Sequence, residues 1–81
     1  MEINDFLKAF KDQYADTNEI ELTLDMNFRS INSYDSLTGM SILVMIQDEF
    51  HLNLSDEEFK SLNSVREVYE YIQNINNNGI H

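Results

Sequence analysis

No proline interrupts this chain, and glycine occurs at only two of its 81 positions, Gly39 and Gly79. Turn-rich β architectures need such residues at regular intervals, so the sequence favours helices joined by loops. A chain of this length holds one domain and one modest core. Its apolar share of 42% is enough to build that core, which argues against chain-wide disorder.

Hydrophobic periodicity then divides the chain. Ile3, Phe6, Leu7, Phe10 and Tyr14 recur at spacings of three and four and predict a first helix, with Asp5 near its start and Lys8 and Lys11 further along. From Ala15 to Ser33 no helical period is sustained. Ile20, Leu22 and Leu24 alternate with Glu21 and Thr23, but a lone strand has nothing to pair with. The stretch is read as a long loop across the core, anchored by Phe28 and Ile31. Leu37 to Phe50 is a second helix whose apolar residues fall on two arcs at about 100° per residue. Ile42, Leu43, Ile46 and Phe50 form one arc; Leu37, Met40 and Val44 form the other, beside Ser41 and Asp48. A small domain seldom buries both sides of a helix, so the second arc is expected to stay open to a partner.

Ser55-Asp56-Glu57-Glu58 has the form of a capping box and predicts a short helix through Leu62. Ser64-Val65-Arg66-Glu67 repeats that signature and opens a last helix carrying Val65, Val68, Tyr69, Ile72 and Ile75. The asparagine-rich end is read as a frayed tail. The expected architecture is all-α: a small four-helix bundle of three longer helices and one short one, with a long loop between the first two. The domain is expected over residues 1–75 and a flexible tail over 76–81.

Fifteen acidic residues against five basic ones give a net charge of -10. Nucleic acid and anionic membrane surfaces repel such a chain, whereas a partner with a basic patch is attracted to it. With no secretory signal at the N-terminus and no apolar run of spanning length, the expected location is the cytoplasm. A monomer is expected.

The absence of cysteine excludes disulfides, zinc-thiolate sites and cysteine nucleophiles. Serine hydrolysis fails on distance, because the helix separates Ser36 from His51 by roughly 20 Å and His81 lies in the expected tail. Asp25-Met26-Asn27 opens like a calcium loop, but Ser30 stands where glycine is needed and Ser36 where a bidentate glutamate is needed. No metal site and no catalytic residue are assigned. Asn53-Leu54-Ser55 fits a glycosylation triplet, although Ser55 is better explained as a helix cap. Ser36 then remains, with Asp35 before it. Either residue suits a helix N-cap. A helix N-terminus is also a ready site for an anion, so a phosphodiester on Ser36 would be well placed there, and Asp35 would help bind a metal ion during its transfer.

Asp35-Ser36-Leu37, followed by a helix ending in Asp48-Glu49-Phe50, resembles the phosphopantetheine-attachment region of acyl carrier proteins. Phe28, Phe50, the short helix Ser55–Leu62 and the closing run Ser64-Val65 to Tyr71-Ile72 strengthen the likeness, which covers Phe28 to Ile72. Residues 1–27 match only in size and in one amphipathic helix. Tyr34-Asp35-Ser36-Leu37-Thr38-Gly39-Met40 looks especially like discrete bacterial carriers. The resemblance implies that a separate phosphopantetheinyl transferase, using coenzyme A, joins 4′-phosphopantetheine to Ser36 Oγ, with Asp35 and Leu37 completing the motif. The thiol of the arm would hold acyl groups as thioesters for enzymes of fatty acid, polyketide or other specialised acyl biosynthesis, and the protein would be a carrier with no catalysis of its own. Leu37, Met40, Ser41, Val44 and Asp48 are the expected partner-binding residues. This chain has Thr38 and Ser41 where carriers of fatty acid synthesis usually place acids, and Asn32-Ser33 where a glycine is common. The charge near the arm is therefore weaker, and partners are expected to read the apolar patch more than a charged collar. Two alternatives stand beside this reading: an aminoacyl or peptidyl carrier, and an unmodified acidic interaction module.

Overall fold

The computed structural model describes residues 1–78, and among them four α-helices carry the architecture: α1 Ile3–Lys11, α2 Ser36–Phe50, α3 Asp56–Lys60 and α4 Val65–Asn78, with one 3₁₀ turn at Phe28–Ser30. Helix α1 packs on α2 and α4. The expected small helical bundle, three longer helices and one short, is the observed fold.

Helix α1 buries Phe6 and Phe10, four residues apart on one face. It ends three residues before the apolar pattern does. The amides of Gln13 and Tyr14 turn back to the carbonyls of Phe10 and Lys11, both at 3.1 Å, a tightening common where α-helices end. Tyr14 nevertheless stays in the core, and its hydroxyl donates to the Phe28 carbonyl at 2.6 Å.

The long loop is held at several points. Leu22 and Phe28 are buried, with Ile20, Leu24, Met26 and Ile31 packed against the core. The alternating Ile20/Leu22/Leu24 pattern is thus a segment facing inward at every second residue, without a sheet. Its backbone pairs with the start of α4 instead: Phe28 N–H donates to the Asn63 carbonyl at 3.2 Å, and Arg66 N–H to that of Leu24 at 2.9 Å. Asp25, which opened the rejected calcium loop, bonds to Arg66 at 2.7 Å.

Helix α2 buries Ile42, Met45 and Ile46, while Leu37, Met40 and Val44 are 70%, 62% and 55% exposed. The two arcs therefore meet different surroundings. The helix stops at His51, a non-glycine residue in the left-handed region (φ 57°) whose N–H returns to the Gln47 carbonyl. Ser55 and Glu58 close a full capping box at the head of α3, and Phe59 plugs that helix into the core. At the head of α4 only half the box forms. Glu67 N–H donates to Ser64 Oγ at 3.1 Å, while the Glu67 carboxylate accepts from the Asn63 amide at 2.8 Å. The helical backbone of α4 continues to Asn78, three residues into the expected tail, because adding a residue to a nucleated helix costs little. The rest of the tail, including His81, lies outside the described residues.

Candidate attachment site

The turn into α2 assigns separate tasks to Asp35 and Ser36. Asp35 is extended (φ -146°, ψ -175°) and occupies the N-cap, with its Oδ1 accepting from the Thr38 amide at 2.9 Å and the Thr38 hydroxyl at 3.0 Å. These donors, the amide first, hold the Asp35 carboxyl below the usual aspartate range, so it is ionised at neutral pH. Capping is therefore the work of Asp35. Ser36 is the first helical residue and is exposed, and no hydrogen bond to its hydroxyl is recorded among the described residues. A serine oxygen in this position is accessible to an enzyme, and its attached phosphate would stand at the positive end of a fifteen-residue helix.

Thr38, one of the two positions lacking the usual acid, is 6% exposed, and its hydroxyl completes the Asp35 cap. A second contact fixes the approach to the turn. The Tyr34 ring lies near Tyr14 and Phe28, with centroids 6.2 and 5.9 Å away. Its hydroxyl oxygen lies 2.6 Å from where a Cβ on Gly39 would stand. Glycine at position 39 thus admits the tyrosine that immediately precedes the Asp35-Ser36 pair. An isolated glycine inside a helical run is the sequence signal for such a close approach.

Beyond the serine, Leu37, Met40, Ser41, Val44 and Asp48 line one shallow groove, with buried Met45 on its floor and Gln13 and Glu49 completing it. All five residues expected to meet partners are thus gathered on one surface. Gln13 had no sequence signal, since it lies beyond α1 and reaches the groove only through the tertiary fold, whereas Glu49 belongs to the Asp48-Glu49-Phe50 end of α2 already visible in the sequence.

Residues 6–72 match the family described as "Phosphopantetheine attachment site". The acyl carrier protein of Thermobifida fusca is 35% identical over 72 residues, covering 89% of this chain and 91% of that protein. The chain belongs to the acyl carrier protein family. The acyl carrier protein of Treponema pallidum is 28% identical over 67 residues, covering 83% and 86% of the two chains. That of Exiguobacterium sibiricum is 32% identical over 53 residues, covering 65% of this chain and 67% of its own. As a member of this family the protein is a carrier, not an enzyme, and its prosthetic group is a covalently bound 4′-phosphopantetheine. The free hydroxyl of Ser36 at the head of α2 fits that group. Among the described residues no helix is long and apolar enough to cross a membrane.

Proposed function

We propose that Ser36 is the attachment residue, and that the protein carries acyl intermediates in the cytoplasm as a monomer, presenting them to enzymes that dock on the α2 groove. The observation that carries this is the division of labour at the turn: Asp35 caps the helix and leaves the Ser36 oxygen exposed at its N-terminus. In the loading step a bond forms between Ser36 Oγ and phosphorus, and the bond from that phosphorus to the adenosine half of coenzyme A breaks. The hydroxyl proton passes to a base on the transferase. The arm supplies the thiol that this cysteine-free chain lacks.

Partner docking rests on Leu37, Met40 and Val44, three exposed apolar side chains beside one another, with Ser41 and Asp48 on the same groove. Asp48 and Glu49 lie in the last turn of α2, where the helix dipole disfavours acids. A local rule broken at a groove is a mark of function, here steering of a partner bearing basic residues. Thr38 and Ser41 leave the head of the groove uncharged, which favours partners that read apolar shape there. Partners in polyketide or another specialised acyl assembly suit that surface as readily as those of fatty acid synthesis.

Incubation with coenzyme A, magnesium and a broad-specificity phosphopantetheinyl transferase tests the central reading. The intact mass is expected to rise by one phosphopantetheine unit in the natural chain and to stay unchanged in Ser36→Ala. A folded natural chain that gains nothing would support the unmodified interaction module instead.

A further inference from the structure

The phenol of Tyr34 sits at the head of α2 with no task in the fold. Its ring is half-buried, near the Tyr14 and Phe28 rings, and its hydroxyl comes to rest against Gly39. The Phe59 ring lies 3.9 Å from the point where a Gly39 Cβ would stand, and the Tyr34 oxygen 2.6 Å from it. Gly39 follows Ser36 by three residues, so the two share a face of the helix. A helical side chain covers the turn before its own Cα. Glycine has none, so the flank left bare is the one beside Ser36, and the Tyr34 hydroxyl occupies it. The hydroxyls of Tyr14, Tyr69 and Tyr71 donate to the Phe28 carbonyl, the Met1 carbonyl and the Glu58 carboxylate, whereas no partner of the Tyr34 hydroxyl is recorded among the described residues. No side-chain polar atom among those residues is both buried and unpartnered, so the Tyr34 oxygen keeps access to solvent and its proton is free to donate.

We propose that the Tyr34 hydroxyl donates a hydrogen bond to the phosphodiester that joins the arm to Ser36, and so fixes the root of the arm against the Gly39 flank. The proposal rests on the Ser36 reading above. Asp35 already takes the Thr38 amide, so a phosphate on Ser36 finds one donor of the first turn spent and an ionised carboxylate beside it. The phenol supplies the missing donor. Phosphorus is bonded to Ser36 Oγ itself, so the phosphate is the polar group of the arm confined to this turn, while the amides beyond it swing free. An ionised acceptor also makes a shorter and stronger bond than a neutral one, and the tether holds it near the donor at an effective concentration on the order of millimolar.

The test uses the full chain, isotope-labelled at the tyrosine ring carbon that bears the hydroxyl, before and after loading from coenzyme A, with intact mass measured first. On loading, the Tyr34 resonance is expected to move and those of Tyr14, Tyr69 and Tyr71 to stay; Tyr34→Phe identifies the Tyr34 signal by its loss. In the loaded forms, the phosphorus resonance of the phosphodiester is expected to differ between the natural chain and Tyr34→Phe. Phenylalanine keeps the ring, so that difference reports the hydroxyl. A Tyr34 resonance unmoved by loading overturns the proposal on the natural chain alone, and so does a phosphorus resonance that is the same in both loaded chains. A chain that gains no mass contradicts the carrier reading and the proposal together, whereas one that gains mass without either shift contradicts the proposal alone.

Discussion

Asp35 and Ser36 are both good cap residues, and which of them caps α2 decides which oxygen is free for chemistry. The carboxylate takes the Thr38 amide and hydroxyl, so the serine oxygen remains available. Asp35→Ala is expected to lower the melting temperature by a few degrees at neutral pH through loss of the cap. Its pH dependence has a definite sign. A carboxyl held below its unfolded value adds stability above that value and loses it as pH falls through the native one. The gap in melting temperature between the natural chain and Asp35→Ala should therefore close as pH falls through and below the ordinary aspartate value of 3.8. Thermal unfolding followed by circular dichroism measures it, and a gap independent of pH would contradict the cap. Gly39 poses a second residue-scale contest. Alanine there gains about 1 kcal/mol of helix propensity but meets the Tyr34 hydroxyl at 2.6 Å, and overpacking costs about 1–3 kcal/mol. Gly39→Ala is expected to destabilise, and adding Tyr34→Phe to relieve it, since the next Tyr34 atom is 3.5 Å away. Denaturant unfolding of the two single variants and the double variant checks the coupling.

At the scale of elements, α2 is legible in the sequence because its period separates a core arc from an exposed one with no knowledge of its neighbours. The same is true of α3, where Ser55 and Glu58 announce a cap three residues apart. What holds α3 in place was not legible. The Arg29 guanidinium donates to the carbonyls of Phe59 and Leu62 at 2.8 and 2.7 Å and stacks over the Phe28 and Phe59 rings, 4.5 and 5.0 Å from their centroids. Those partners lie 30 and more residues along the chain, beyond the reach of any periodicity. The Tyr71 hydroxyl, 13 residues from its partner, donates to the Glu58 carboxylate and so joins α4 to the α3 cap. A five-residue helix has little stability of its own, so these contacts fasten it. Arg29→Met is expected to cost about 1.5–3 kcal/mol, the range for hydrogen bonds made by a charged donor. Amide hydrogen exchange should rise most across Asp56–Asn63; an even rise throughout the chain would show that Arg29 is no clamp for α3.

Across the whole molecule, Ile42 and Ile46 of α2 face the core while Leu37, Met40 and Val44 face the groove, with Met45 shared between the two, a division that under the proposed function separates holding the fold from meeting partners. Val44 is 55% exposed, so Val44→Asp is expected to leave the melting temperature nearly unchanged while slowing transfer by partner enzymes several-fold. Unfolding of that variant would mean that the residue supports the core. The net charge of -10 was readable from composition and the place of Asp48 beside the exposed arc from the helical period, whereas the place of Glu49 on the groove required the fold. The place of Gln13 on the groove likewise came only with the fold, since that residue lies beyond the end of α1 at Lys11. All of this organisation serves one covalent bond, and its position is the most direct test. After loading from coenzyme A, fragment-resolved mass spectrometry should place the phosphopantetheine on Ser36 and on neither Ser33 nor Ser41. An adduct on either neighbour, or one that persists in Ser36→Ala, would contradict the account.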